Sequence, residues 1–371
     1  MKTVAIISRH AISNYGSLLQ AYALEQTLRS LGYDAKTIDY IRKDEKSWHL
    51  CKVELVDSRW NSSFPKRVAF YGVNVHKRAI QFSKFSKFRR ELLNLTKEYC
   101  STEELRANPP VADLYCTGSD QVWNETIYDQ IDWTYFLEFL NSEARIAYAA
   151  SFGKETVKDE LRDRIKSDLQ NYSKISVRES SGKDILRNLD IAGDVVLDPT
   201  LLLDRNKWEQ LIDGANALNE DYILLYQIHK NNQLVEYALN YAKQIGCRVI
   251  NISVSFTQRK SGIELKWLPD YKEVLALFRG ARCIVTDSFH ATAFSINFNK
   301  QFVTILPKLS AARIKSILSM MGLENRVLTD ITDYSLPETT INYAQVNPVL
   351  EELRNDSIGW LKRTLVETIG E

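Results

Sequence analysis

The chain has 371 residues, 44% of them hydrophobic and 26% charged, an ordinary globular composition long enough for two core-bearing domains. Its net charge of +1 gives no global field for nucleic acid or for a membrane surface, so no nucleic-acid partner is expected. Five scattered cysteines with no C-x-x-C pair argue against a disulfide framework or a structural zinc site and fit a reducing cytoplasm. No uninterrupted apolar stretch approaches the roughly 20 residues of a membrane helix. Any membrane contact is expected to be peripheral, at the inner face.

The opening residues Val4–Ser8 read as a strand rather than a signal peptide. A polar loop, Arg9–Tyr15, follows. Leu18, Leu19, Ala21, Tyr22, Leu24, Leu28 and Leu31 then recur at helical spacing, and Gly32 ends that helix. Thr37–Tyr40 begins the next strand. This β-α-β unit predicts a parallel sheet. The region Ile41–Pro110 does not fit the alternation. From Arg59 to Arg90 it carries nine Lys or Arg and no Asp or Glu, with Phe82, Phe85 and Phe88 interleaved. It reads as a basic helical insertion whose Phe face packs on the domain and whose charged face is solvated. The competing reading is an electropositive lid for a phosphate-bearing or lipid-linked acceptor.

Ala112–Thr117, Arg145–Ser151 and Ile175–Arg178 are further strands. Cys116 and Cys283 are expected as small core residues. Val195–Leu203 reads as the passage into a second domain. There Tyr222–Ile228, Arg248–Ser253, Cys283–Thr286 and Phe302–Leu306 are strands. Asn232–Ile245, Tyr271–Arg279, Ala291–Asn297 and Ala311–Met321 are helices. Helical spacing returns at Leu350, Leu353, Ile358, Leu361 and Leu365. The expected division is 1–195 (with the insertion at about 41–110), 196–345, and a helix at 346–371 that packs back on the first domain. Two Rossmann-like α/β domains should face each other across a cleft.

The segment Cys283–Ile296 is the most telling. A short apolar run, a polar break and a helix-period stripe place His290 where a loop becomes a helix. Free N–H groups and the positive helix end favour anions there. In open α/β sheets the same edge is where ligands sit. A titratable imidazole in that position suggests proton transfer on an anionic substrate.

Six motifs occur in order. They are Asn14–Leu24 (NYGSLLQAYAL), Gly118–Asn124 (GSDQVWN), Tyr148–Gly153 (YAASFG), Ile175–Glu179 (ISVRE), Val196–Leu202 (VLDPTLL) and Ser288–Ser295 (SFHATAFS). Together they resemble the polysaccharide pyruvyl transferase family. The resemblance implies a glycosyltransferase-B-like fold. It also implies transfer of a pyruvyl group from phosphoenolpyruvate to a sugar, or to a lipid-linked oligosaccharide of a surface-polysaccharide precursor, as a cyclic ketal. No cofactor and no metal are expected. Where related sequences carry a basic residue and a Leu before the His, this chain has Ser288 and Phe289.

On this resemblance His290 is the general acid that protonates the methylene carbon of the enol ether. The alternative is a histidine that caps its helix. Arg178, at a strand end, is expected to grip a carboxylate or phosphate, against the alternative of an ion pair with Glu179. Asp120 is expected as base on the acceptor hydroxyl, and Asp287 as an orienter of His290 or a helix cap. Asn14, Tyr15, Gly16, Ser17 and Gln20 in the first βα loop, Gly118 and Ser119 after the third strand, Ser288, and more weakly Arg313 and Lys300 are candidate substrate contacts. Ser17 is also a candidate N-cap, and Trp123 is expected to pack. Competing functions are a nucleotide-sugar glycosyltransferase and a catalytically inactive glycan-binding protein.

Overall fold

The computed structural model describes residues 1–42, 51, 55, 59–125, 130–212, 214, 221–228, 230–308 and 311–370. Two parallel sheets organise the chain. The first holds β1 (Thr3–Ile7), β2 (Asp34–Tyr40), β3 (Leu95–Tyr99), β4 (Leu114–Thr117), β5 (Arg145–Ala150), β6 (Lys174–Val177) and β7 (Asp194–Val195), in the order β3-β2-β1-β4-β5-β6-β7. The second holds β8 (Tyr222–Tyr226), β9 (Arg248–Ser253), β10 (Ile263–Trp267), β11 (Cys283–Thr286) and β12 (Gln301–Thr304), in the order β10-β9-β8-β11-β12. In each sheet the chain works outward to one side and then restarts on the other. A topological switch point therefore lies between β1 and β4, and another between β8 and β11. Crevices open beyond the carboxyl ends of strands at such points.

Apolar side chains on both faces explain the central strands. β4, β5, β8 and β11 are buried at every residue, as parallel strands covered by helices on two sides should be. The helices start and stop on local signals. Asn14 caps Tyr15–Ser30, accepting from the N–H groups of Gly16 at 2.8 Å and Ser17 at 3.3 Å. Asn231 caps Asn232–Ile245, which ends at Gly246 in the left-handed conformation. Ser17 is thus not the cap of the first helix. Asn14 takes that role because the helix begins at Tyr15.

Three strands escape the sequence reading, two of them for one physical reason. β3 (LTKEY) and β10 (IELKW) close sheet edges and keep polar side chains toward solvent, so neither shows an apolar run. β7 is only two residues long. The expected insertion is corrected accordingly. It contains the basic helix Phe64–Leu92 but returns as edge strand β3, followed by the helix Thr102–Ala107. Residues 43–50, 52–54 and 56–58 of that region lie outside the described residues. Phe85 and Phe88 are buried, with ring centroids 5.0 Å from Tyr15 and 5.4 Å from Tyr271 respectively. The basic helix therefore packs against both halves of the molecule.

The two halves are tied together elsewhere too. Asn297 Nδ2 donates to the carbonyls of Thr200 at 3.1 Å and Leu203 at 2.8 Å. The last helix, Tyr343–Ile369, packs along both halves. Its Tyr343 hydroxyl donates to Ser295 O at 3.2 Å, Ser357 accepts from Leu197 N at 3.0 Å, and Trp360 donates to Asp194 at 2.8 Å. Cys116 and Cys283 are buried, as their apolar runs imply. Among the described residues no helix is long and apolar enough to cross a membrane.

Candidate active site

The site lies where the two switch points meet. From the first sheet come the loop after β1, with Arg9 and Asn14, and the turn after β4, with Asp120 and Gln121. From the second come Ile228 after β8 and Asp287–His290 after β11. With Ile12, Ser17 and Arg313 these residues line a cavity of about 90 Å³.

His290 stands in the first turn of the helix Phe289–Asn297, capped by Ser288, whose hydroxyl accepts from Ala291 N at 3.4 Å. The imidazole does not cap the helix. Its Nε2 is buried and has no hydrogen-bond partner among the described residues. Its opposite wall is the opening turn of the first helix: a Cβ added to Gly16 would overlap the ring and come within 2.7 Å of His290 Cβ. Two helix N-termini, Tyr15–Ser30 and Phe289–Asn297, thus converge on one ring. Burial pushes the imidazole down to about 4, and the charges of Arg178 and Arg313 add to this against the opposing pull of Asp198 and Asp120. His290 is neutral at pH 7 in this state.

Behind the cavity lies a buried ionic cluster. Arg178, directly after β6, has no exposed side-chain surface. It donates to Asp198 at 2.9 Å and to Asp120 at 3.2 Å, and its Nε stands 3.7 Å from Glu179. Burial disfavours its charge, but Asp198, Asp120 and Glu179 outweigh that and hold it above the ordinary arginine value. The ion pair with Glu179 given as the alternative is present: the guanidinium faces three carboxylates of its own protein and does not line the cavity.

Asp120 does reach the cavity. It sits at φ 78°, a left-handed conformation that is costly for a non-glycine residue. Its Oδ2 accepts the Ser17 hydroxyl, and its Oδ1 accepts Arg178 and, at 2.8 Å, the Gln121 N–H. Burial pushes its pKa up, yet Arg178, His290, the Ser17 hydrogen bond and Arg313 hold it well below the usual carboxylate range. So weak a base, with both oxygens occupied, is a poor acceptor for a sugar proton. The same carboxylate exerts a pull on His290 that favours the imidazolium.

Arg313, from the helix Ala311–Met321, lines the cavity. Its Nε is buried without a partner among the described residues. Burial and the like charge of Arg178 lower its pKa to about 10. The Gln121 amide oxygen, turned toward Arg313, accepts from its two Nη atoms at 3.2 and 2.8 Å. Both guanidiniums stand over the Phe289 ring, at 4.7 Å for Arg178 and 5.9 Å for Arg313.

The remaining expected residues are engaged with other parts of the protein, and of them Asp287 and Ser288 also line the cavity. Gln20 is fully buried and ties Ser8 Oγ at 2.7 Å to Ser17 O at 2.9 Å. Gly118 makes room for Ile6, Leu24 and Ser8, which would all stand 3.1–3.3 Å from a Cβ there. Ser119 donates to Asp198 at 2.9 Å. Asp287 Oδ1 accepts from the Ile228 N–H at 2.7 Å, while Ser288 caps the helix. Tyr15 donates to Pro269 O at 2.6 Å. Lys300 follows the other end of the His290 helix and donates to Arg279 O at 2.9 Å, which removes it from the site. Trp123 is a packing residue, stacked 5.4 Å from Phe136.

A family model described as polysaccharide pyruvyl transferase matches residues 14–308. The chain belongs to that family. As a family member it is a transferase, and the matched span contains every cavity residue named above except Arg9, Ile12 and Arg313. Among curated proteins none matches this sequence. Among solved structures, UDP-GlcNAc 2-epimerase from Neisseria meningitidis bound to UDP-GlcNAc is similar at 12% identity and TM-score 0.51, covering 99% of this chain and 100% of that one. The S. aureus MnaA–UDP co-structure is similar at 10% identity and TM-score 0.52, covering 100% of this chain and 93% of that one. At these identities the likeness shows the fold alone: two Rossmann-like domains facing across a cleft, in the glycosyltransferase-B manner.

Within this pyruvyl transferase family member, Asp198 and Glu179 are the residues that sequence reasoning missed as parts of the site. Both lie inside quoted motifs. Their partner Arg178 adjoins Glu179, and Asp198-Pro199 was read only as a passage between domains.

Proposed function

We propose that the protein transfers the pyruvyl group of phosphoenolpyruvate to two hydroxyls of a sugar, forming a cyclic ketal and inorganic phosphate. One observation carries this reading: the unpartnered His290 imidazole shares a cavity with Arg9 and Arg313 at the convergence of two helix N-termini. The donor is a small anion with an enol carbon that must be protonated, and this cavity offers positive charge beside one proton carrier.

The donor phosphate lies against Arg313 and the helix N-termini. Arg313 supplies from a neighbouring helix the cation that related sequences carry at the position of Ser288. Bound anion offsets the charge that disfavours the imidazolium, while Asp198 and Asp120 favour it, so His290 takes up a proton with the donor. His290 then gives that proton to the methylene carbon. A C–H bond forms, and the adjacent carbon becomes an oxocarbenium-like centre. The first sugar hydroxyl attacks it and returns its proton to the neutral imidazole. The C–O bond to phosphate breaks, the second hydroxyl closes the ketal, and its proton leaves with phosphate. Arg178 acts by position: it holds Asp120 and Asp198 in place beneath the imidazole.

Five free cysteines fit a reaction in the reducing cytoplasm, on precursors of a surface polysaccharide. The structural relatives solved with UDP or UDP-GlcNAc favour no nucleotide-sugar reaction here, since a shared fold hosts many activities. The test incubates the protein with phosphoenolpyruvate and candidate glycans, following phosphate release and the ketal methyl signal by NMR. His290→Ala should lose turnover by about 10²-fold or more. Full activity in that variant would remove His290 from the mechanism.

A further inference from the structure

The basic helix Phe64–Leu92 has apolar residues on two sides, and only one of those sides is buried. The inward side carries Phe85 and Phe88, packed near Tyr15 and Tyr271. The outward side begins at Phe64. Val68, Ala69, Gly72, His76, Ala79 and Ile80 follow it along one face, at steps of three or four residues. At about 100° per residue this face stands opposite Phe85 and Phe88. All of its residues are exposed, Phe64 at 73%, Val68 at 55% and Ile80 at 50%. Single exposed apolar residues are normal on a surface, but a row along one helix face marks a contact. The charge around the row has one sign. From Arg59 to Arg90 there are nine Lys or Arg and no Asp or Glu, in a chain of net charge +1. Lys66, Arg67, Lys87 and Arg90 are exposed on the same helix. Lys87 pairs with Glu91 at 3.6 Å, and the stretch stays strongly positive after that pair is counted.

We infer that the outward side of this helix is a docking surface for an anionic lipid bilayer. Phe64, Val68 and Ile80 enter the interface, and Lys66, Arg67, Lys87 and Arg90 meet the headgroups on their long stems. Charge complementarity selects this occupant: apolar insertion and flanking cations are the two features that hold a helix in the plane of a negatively charged membrane. A second copy of the chain fits less well, because two such helices face to face would set nine positive charges against nine. The inward side spans both halves of the molecule, so docking would hold both at the membrane surface. This inference concerns a face away from the His290 cavity and stands apart from the pyruvyl-transfer reading.

The experiment is vesicle binding by the full chain, read by co-sedimentation. The probes are vesicles of phosphatidylcholine alone and vesicles of phosphatidylcholine and phosphatidylglycerol in equal parts. The protein should bind the second and not the first, and added salt should release it. Lys66→Gln with Arg67→Gln should weaken binding by about tenfold or more. Phe64→Ser with Val68→Ser should weaken it several-fold at unchanged charge. All four side chains are exposed, so thermal melts of both variants should match the wild type. The same charge change at the exposed Lys207 and Lys243 of the second domain should leave binding as it was. Failure to bind the phosphatidylglycerol vesicles would overturn the inference, as would equal losses from the Lys207 and Lys243 changes. So would a protein with Phe64→Ser and Val68→Ser that binds as tightly as the wild type. Light scattering without vesicles completes the test: a wild-type dimer that Phe64→Ser with Val68→Ser splits into monomers would show that a second copy, and not a bilayer, covers this face.

Discussion

Gly16 and His290 lie on helices that follow β1 of one sheet and β11 of the other, and the glycine backbone forms one face of the imidazole's enclosure. A Cβ on Gly16 would overlap Nδ1 and Cγ of the ring. The imidazole is therefore held by a contact between the two halves of the molecule.

Gly16→Ala tests that contact. Alanine gains about 1 kcal/mol of helix propensity over glycine. Overpacking a closed site costs about 1–3 kcal/mol. The melting temperature should therefore move by only a few degrees. Turnover should fall much further, by about 10²-fold, because an ångström of displacement at His290 is enough to spoil proton delivery. Steady-state kinetics beside a thermal melt separate the two effects; a variant with wild-type turnover would show that the ring need not stay where Gly16 holds it.

The buried imidazole also makes stability depend on pH. His290 titrates near 4 in the folded protein and near 6.5 when unfolded. Between those values the unfolded state binds more protons, so this residue lowers stability as pH falls through the window. Asp120 and Asp198 are held below their ordinary values, so they withdraw their stability only at more acid pH. Denaturation measured from pH 7 to 4 should therefore show the wild type losing ground to His290→Gln. A constant difference between the two proteins would contradict a neutral buried imidazole. Donor binding at pH 7 should take up a proton, read by calorimetry in buffers of different ionisation enthalpy.

Much of this site was legible in the sequence, and the unread part has a common cause. The apolar run, polar break and helical stripe around His290 locate it at a strand end without any structure. The two parallel sheets follow from the alternation of strands and helices, while the strand order that makes the switch points does not. What local pattern does not carry is partnership at a distance. Arg178 reads as a free guanidinium because Asp120 lies 58 residues before it and Asp198 lies 20 after it. Edge strands β3 and β10 are equally silent, since their polar faces resemble loops.

Removing the buried guanidinium should be costly for that reason. Arg178→Gln leaves Asp198, Asp120 and Glu179 facing one another in a dry cluster. Breaking a buried ion pair from one side costs about 3–5 kcal/mol. Arg178→Gln should therefore unfold at markedly lower denaturant, and Asp198→Asn added to it should recover part of the loss. Equilibrium denaturation of the single and double variants measures the coupling. Strictly additive losses would mean that the cluster is not a unit.

Phe289 offers a milder probe of the same region. Its buried ring offers a face to both Arg178 at 4.7 Å and Arg313 at 5.9 Å. Leucine, the residue of related sequences here, fills much of the volume but has no face for either guanidinium. Phe289→Leu should cost about 1 kcal/mol from the lost cation–π contacts, plus a small packing term. The larger effect should fall on donor affinity, because Arg313 loses the surface that aims it into the cavity. The KM for phosphoenolpyruvate should rise several-fold while kcat changes little, since His290 keeps its place against Gly16. An equal fall in kcat with unchanged KM would instead tie Phe289 to the proton carrier and not to the anion it serves.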